Sequence, residues 1–166
     1  MLKLCTFAIM KIKLLCVGKN SANEWLDSIE HYAKRINLYA PFEVDIISDS
    51  KTGKKSIPSQ IKKTEGQKLL QKIKKGDVVI LLDEKGKAYN SLSFSKEIQK
   101  YQNSGTQRLI FIIGGAFGFS EELSSQFPNK IRLSDMTFSH QMIRLFFCEQ
   151  LYRAFTILHN HPYHNS

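Results

Sequence analysis

Hydrophobic and polar residues follow one another along the chain in blocks that predict strands and helices in turn. Short apolar runs predict five strands, at residues 11–17, 42–47, 77–83, 108–115 and 130–133. The runs at 77–83 and 108–115 are apolar almost throughout, as in central strands that are covered on both faces. Helices are predicted between them, at residues 21–37, 59–74, 92–102 and 120–127. This alternation predicts an α/β domain with a mostly parallel sheet flanked by helices.

The last predicted helix, residues 139–159, is apolar on more than one face. Its apolar positions are Met142, Ile143, Leu145, Phe146, Phe147, Leu151, Tyr152, Ala154, Phe155, Ile157 and Leu158. A single amphipathic stripe cannot bury them all. A central core helix in a monomer would explain the pattern, but 166 residues provide few layers to cover such a helix. We therefore favour a homodimer.

The length of the chain predicts one domain, which we place at residues 10–166. Residues 1–9 are interpreted as an N-terminal extension, with Met10 as an alternative start. The apolar opening is interrupted by Lys3, Lys11 and Lys13, and no small-residue cleavage site follows, which argues against a signal peptide. No stretch reaches transmembrane length, so no membrane partner is expected.

The net charge of the chain favours one class of binding partner. Twenty-four Lys and Arg against fifteen Asp and Glu give a formal net charge of +9, which favours a polyanion such as RNA, DNA or an acidic membrane. Many of the lysines lie between residues 51 and 75, where a solvated helix face explains them equally well. Cys5, Cys16 and Cys148 show no disulfide or zinc spacing and fit a reducing, cytoplasmic setting.

Two loops are candidates for binding a ligand. Residues 114–120 (GGAFGFS) follow a buried strand and precede a helix, where open α/β sheets bind their ligands. This sequence is neither the dinucleotide glycine motif nor a P-loop, and a tight structural turn explains it equally well. Residues 133–138 (LSDMTF) could contact an adenine edge through backbone amides and hydroxyls. Turn hydrogen bonds are the commoner role for Ser134, Asp135 and Thr137.

Charged residues interrupt the apolar pattern of the last helix. Glu149 and Arg153 are four residues apart in the order that favours a salt bridge. His140 and Arg144 have the same spacing but no carboxylate near them in sequence, which favours a contact with RNA phosphate or substrate.

The tail, residues 159–166, groups three histidines and a tyrosine around Pro162. The spacing of these histidines matches no usual zinc site, so we predict no metal. Their rings could instead stack on an unpaired base.

Three ordered blocks of the sequence resemble one known family. The segments LLDEKG (81–86), IGGAFGFS (113–120) and the C-terminal run that contains TFSHQMIR, EQLYRA and HPYH are similar to the ribosomal RNA large subunit methyltransferase H family of the SPOUT superfamily. The resemblance covers nearly all residues after Ile9. It implies the SPOUT fold, an α/β domain with a deep trefoil knot near its C-terminus, although knots are rare in proteins.

The resemblance also implies an activity. Members of this family act as homodimers on the assembled ribosome and transfer a methyl group from S-adenosylmethionine to N3 of a pseudouridine in the helix 69 loop of 23S rRNA. The implied cofactor contacts are Leu82, Gly114, Leu133, Ser134, Asp135, Met136, Thr137 and Phe138. The alternative is a non-catalytic protein that binds the ribosome or RNA and keeps a vestigial cofactor pocket.

Methyl transfer from a sulfonium needs no metal, so catalysis should depend on positioning and on removal of the N3 proton. His140, Tyr163 and His164 are the candidate bases. Arg144 and Arg153 are candidates for binding substrate, either by holding phosphate or by stabilising the deprotonated base.

Overall fold

The structure, a computed structural model, describes residues 9–18, 23–50 and 57–163. Within these ranges five strands form one sheet, and five helices flank it. The strands are β1 (Lys11–Val17), β2 (Phe42–Ile47), β3 (Val78–Ala88), β4 (Arg108–Ile113) and β5 (Lys130–Arg132). The helices are α1 (Asn23–Ile36), α2 (Pro58–Leu70), α3 (Ser91–Asn103), α4 (Glu121–Gln126) and α5 (His140–Leu158). The sheet order is β2-β1-β4-β3-β5 with every pair parallel, which confirms the predicted α/β class.

The sheet separates two hydrophobic cores, because successive side chains of a strand point to opposite faces. Leu14 and Phe111 face one core, which α1, α3 and α5 cover. Leu15 and Ile112 face the other, which is completed by apolar residues of α2 and α4. Strand β4 is buried from residue 109 to residue 113, as its apolar run predicts for a central strand.

Helix α2 ends earlier than the predicted residue 74. It ends at Leu70, because the amides of Lys72 and Ile73 bond carbonyls only three residues back and the helical pattern stops. Gly76, at φ +92°, belongs to the next turn instead of ending the helix. A left-handed glycine near a helix end is therefore not always its cap.

Strand β3 continues past the predicted end at residue 83 as far as Ala88. Its pairing with β5 shifts between Leu82 and Lys87, so the residues between them bulge from the regular ladder. A Cβ on Gly86 would lie 2.5 Å from the carbonyl carbon of Ile131, so only glycine lets the two strands approach this closely.

Some predictions fall on residues that the structure does not describe. Ser21, the predicted cap of α1, is one, and most of the N-terminal extension is another. In the described part of the chain, no helix is long and apolar enough to cross a membrane. The trefoil knot stays a prediction.

Candidate functional site

A cavity of about 670 Å³ lies at the carboxyl edge of the sheet. Its walls are formed by residues 82–85 of β3, residues 113–119 after β4 and residues 132–138 after β5, together with single side chains of neighbouring elements. This volume is within the usual range for small-molecule sites. The position is where parallel α/β sheets bind their ligands.

All eight predicted cofactor contacts line this cavity, namely Leu82, Gly114, Leu133, Ser134, Asp135, Met136, Thr137 and Phe138. His140, at the first position of α5, lines it too. Arg144, Arg153 and Tyr163 do not line it, and His164 lies outside the described residues. The structure thus brings together two loops that are separate in sequence, and one of the three candidate bases.

The glycine loop is both a tight turn and a wall of the cavity. The amide of Gly118 donates to the carbonyl of Gly115 at 2.9 Å, and Gly118 has a φ of +78° that favours glycine. Gly114 is buried, and a Cβ there would lie 3.1 Å from the Phe119 ring. The turn interpretation of the GGAFG sequence is therefore confirmed, and because the same turn lines the cavity, ligand binding by this loop stays a prediction.

A buried glutamate lies directly behind this loop. Glu65 of α2 is only 4% exposed, and a Cβ on Gly115 would collide with its carboxylate. Its Oε1 accepts a hydrogen bond from the amide of Ser50 at 3.3 Å. Its Oε2 is buried and has no hydrogen-bond partner among the described residues.

Glu65 was missed in the sequence, although a signal was present. It lies four residues from both Ile61 and Leu69, which are buried on the same side of α2. A carboxylate within an apolar helix face is uncommon and marks a position with a specific role.

The loop of residues 133–138 makes turn hydrogen bonds of its own. The amide of Met136 donates to Ser134 Oγ at 2.9 Å, and Asp135 pairs with Arg132 at 2.9 Å. Met136 is 77% exposed, so the loop is open to solvent on one side. The turn interpretation is thus confirmed for Ser134, and the same loop still borders the cavity.

Several charged residues of the cavity wall were not predicted. They are Lys62, Asp83, Glu84, Lys85, Lys130 and Arg132. Asp83 pairs with Lys130 at 3.3 Å. Asp83, Glu84 and Lys85 reach the wall because β3 bulges there, and the sequence showed no sign of this bulge.

Arg144 lies in the core of the protein. It is 3% exposed, and its Nη2 donates to the carbonyl of Val17 at the end of β1, at 2.9 Å. A Cβ on Gly18 would lie 2.6 Å from the same nitrogen, so the glycine leaves room for the guanidinium. A direct contact with RNA phosphate would require Arg144 to leave this position.

The far end of α5 carries a polar network. Arg153 donates to Glu149 Oε1 through Nε at 3.0 Å and through Nη2 at 2.6 Å, which confirms the predicted salt bridge. Tyr163 donates its hydroxyl to the same oxygen at 3.2 Å, and the Arg153 guanidinium lies 4.9 Å from the centre of its ring. Burial, a hydrogen bond with Tyr32 and the charge of Glu149 all raise the pKa of Tyr163 above its usual value.

Within residues 9–18, 23–50 and 57–163, no group of three or more potential ligands is placed to hold a metal ion.

The sheet and its cavity define an α/β domain that binds a small organic ligand between a glycine loop and a polar loop. The family described as "Predicted SPOUT methyltransferase" matches residues 10–164. The chain is 53% identical over 156 residues to the ribosomal RNA large subunit methyltransferase H of Christiangramia forsetii and 49% identical to that of Flavobacterium johnsoniae. Each alignment covers 94% of this chain and 99% of the relative.

The chain belongs to the SPOUT methyltransferases, within the ribosomal RNA large subunit methyltransferase H family, as its sequence blocks predict. The fold is also that of a probable methylase family protein from Haemophilus influenzae, with a TM-score of 0.53 and 11% identity. That comparison covers 95% of this chain and 71% of the other.

SPOUT methyltransferases use S-adenosylmethionine as the methyl donor. The cavity suits such a ligand, because Gly114 and Gly115 border it with backbone atoms, while Leu133 and Phe138 supply apolar surface and Thr137 a hydroxyl.

Proposed function

We propose that this protein transfers a methyl group from S-adenosylmethionine to N3 of a pseudouridine in the helix 69 loop of 23S rRNA, on the assembled ribosome in the cytoplasm. The observation that supports this most strongly is that all eight predicted cofactor contacts meet in one cavity. Relatives that match over nearly their whole length bear the name of large subunit rRNA methyltransferases. The net charge of +9 also suits an RNA substrate.

The bound cofactor would supply a methyl group on a cationic sulfur, and the protein has to position it. The backbone of Gly114 and Gly115 borders the cavity and would contact the ligand. Leu82, Leu133 and Phe138 would contact its apolar parts, and Thr137 its polar edge. In-line transfer then depends on how accurately these groups hold donor and acceptor.

The acceptor nitrogen must also lose its proton. We propose His140 as the general base that removes this proton, because it is exposed and lines the cofactor cavity. The Tyr163 hydroxyl already donates its proton to Glu149 and lies within hydrogen-bond distance of the Tyr32 hydroxyl, so we propose that Tyr163 contacts the target base through its ring. His164 remains the candidate base of the tail.

Tyr163 and Arg153 would serve the cavity of a second copy. Neither side chain lines the cavity of its own chain, and the network that they form with Glu149 lies nine residues, or about 13 Å, along α5 from His140. Apolar side chains beside the cavity stay partly exposed, since Met142 is 38% exposed and Phe146, stacked on Phe138 at 5.4 Å, is partly exposed as well. A homodimer would cover them and bring the tail of each copy to the other's cofactor site.

The decisive experiment uses ribosomes from a strain that lacks the modification, together with labelled S-adenosylmethionine, and maps the methylated nucleotide. We expect label at one pseudouridine of 23S rRNA. A protein that binds both ribosome and cofactor but transfers no label would support the non-catalytic alternative. Label on another RNA would contradict the proposed substrate.

The composite site has its own test. A tail variant (Tyr163→Ala) and a cavity variant (Thr137→Trp, at an exposed residue of the wall) are each expected to transfer little or no methyl group. The two variants are then mixed and allowed to exchange subunits. If the tail of each copy completes the cavity of the other, a heterodimer of the two variants has one intact site, and methyl transfer returns. Mixed variants that form heterodimers but stay inactive would show that each site is built within one chain.

A further inference from the structure

We propose that Glu65 makes the cofactor site selective for a cationic ligand, so that S-adenosylmethionine binds more tightly than its neutral-sulfur product, S-adenosylhomocysteine. This inference rests on the proposed function, and it assigns a specificity role to a residue outside the cavity wall.

The position of Glu65 is the first step. Its side chain extends from the buried face of α2 and ends against Gly115, which lines the cavity. The absent side chain of Gly115 is the space that the carboxylate occupies. The carboxylate thus lies one residue behind the cavity wall.

The second step is that half of this carboxylate is unpaired. Oε1 has the Ser50 amide as donor, whereas Oε2 is buried and has no hydrogen-bond partner within the described ranges. A buried carboxylate oxygen without a donor destabilises the fold, unless a positive charge nearby offsets the cost. A cationic ligand on the other side of Gly115 would supply that charge.

The third step is that the wall itself does not favour a cation. Its charged residues are four basic side chains, Lys62, Lys85, Lys130 and Arg132, and three acidic ones, Asp83, Glu84 and Asp135. Asp83 and Asp135 are already paired with Lys130 and Arg132, and Glu84 is exposed, where water screens it. Glu65 is buried, so its charge acts on the cavity with much less screening.

The chemistry of methyl transfer makes this charge useful. The sulfur of the donor is a cation with three carbon substituents, and it becomes a neutral thioether when the methyl carbon bonds to the acceptor nitrogen and leaves the sulfur with the electron pair. The acceptor loses its proton in the same reaction, so charge balances. A fixed negative charge near the cavity therefore holds the donor more tightly than the product and favours product release.

The test measures the Kd of donor and of product by calorimetry for the wild type, Glu65→Gln and Glu122→Gln. Glu65→Gln keeps the shape of the side chain and removes its charge, while Glu122 is an exposed glutamate of α4 that does not line the cavity. A unit charge about 10 Å away at an effective dielectric constant of about 20 changes binding roughly tenfold. We expect the preference for donor over product to fall about tenfold in Glu65→Gln and to be unchanged in Glu122→Gln.

A second variant separates charge from packing. Glu65→Asp keeps the charge and shortens the side chain, so it should retain most of the preference even where both affinities fall. If Glu65→Gln does not fold, Gly115→Ala displaces the carboxylate from the wall and should lower the preference in the same direction.

The measurement distinguishes failure of the selectivity role from failure of the proposed function. Equal losses of affinity for donor and product in Glu65→Gln, or no change at all, would overturn the selectivity role. A folded wild-type protein that binds neither ligand would instead contradict the proposed function.

Discussion

The two ends of helix α5 are built in opposite ways. At its start, His140 and Ile143 border an open cavity, and the neighbouring loop is exposed to solvent. Beyond its end, Tyr163 is hydrogen-bonded to Glu149, and its ring lies against the Arg153 guanidinium. One end is open to admit a ligand, whereas the other holds its side chains in a fixed arrangement. Under the proposed function, we expect the start of α5 to take part in cofactor binding and the Tyr163 network to take part in recognition of the target base.

Replacing Tyr163 by alanine should have the largest effect and separate the two ends most clearly. Methyl transfer to ribosomes is expected to fall about a hundredfold, because the ring that we propose to contact the target base is lost. The Kd for S-adenosylmethionine should stay within about twofold of the wild type, since Tyr163 does not line the cavity. Single-turnover transfer and calorimetry measure the two quantities. Loss of cofactor binding in this variant would contradict the assignment of cofactor binding and target-base recognition to different ends of α5.

Gly115→Ala should lower the free energy of unfolding through a clash behind the cavity wall. The new methyl group meets the buried carboxylate of Glu65, and overpacking of this kind costs about 1–3 kcal/mol of unfolding free energy. In a Glu65→Ala background the space is free, so the same change should cost clearly less. Urea unfolding of the four proteins in this double-mutant cycle gives the coupling. Additive effects would mean that the two residues do not share this space.

The order of strands and helices could be predicted from the sequence, but the close contacts between distant segments could not. Apolar runs and helical spacing are local properties, so the five strands, the long last helix and the Glu149–Arg153 pair could be placed within a few residues. The bulge in β3 could not, because it depends on how closely Gly86 approaches β5. Arg144 was assigned to the substrate because no carboxylate is near it in sequence, yet it donates a hydrogen bond to a backbone carbonyl 127 residues away. The cofactor loops were assigned by family resemblance, since their spacing alone also suits ordinary turns.

Thr137→Ala should have a smaller effect, confined to the cavity end. Loss of one hydroxyl at the wall is expected to weaken S-adenosylmethionine binding about tenfold, which corresponds to one good hydrogen bond. At saturating cofactor the rate of transfer should be close to the wild type, because the tail is untouched. Thr106→Ala is the matched control, since its hydroxyl is hydrogen-bonded to Ser104 and does not line the cavity. A lower saturated rate without weaker binding would assign Thr137 to the transfer step instead.

Tyr163→Phe should have the smallest effect, which is a loss of stability that depends on pH. The variant keeps the ring against Arg153 but loses the hydrogen bonds to Glu149 and Tyr32, so it should be about 1 kcal/mol less stable than the wild type near neutral pH. Burial is the main reason that the folded pKa of Tyr163 is raised, with the Tyr32 hydrogen bond and the Glu149 charge adding to it. Between the unfolded pKa, about 10, and this higher folded value, only the unfolded chain has released the proton.

The stability that the Tyr163 hydroxyl contributes is therefore complete below pH about 10 and is lost as pH rises toward the folded pKa. Urea unfolding of both proteins at intervals from pH 8 to pH 11 should show the wild type losing its advantage over Tyr163→Phe across that window. An advantage that grew with pH would mean that the folded protein stabilises the tyrosinate. Tyr163 would then be suited to act as a base, and the tail would take over the role proposed for His140.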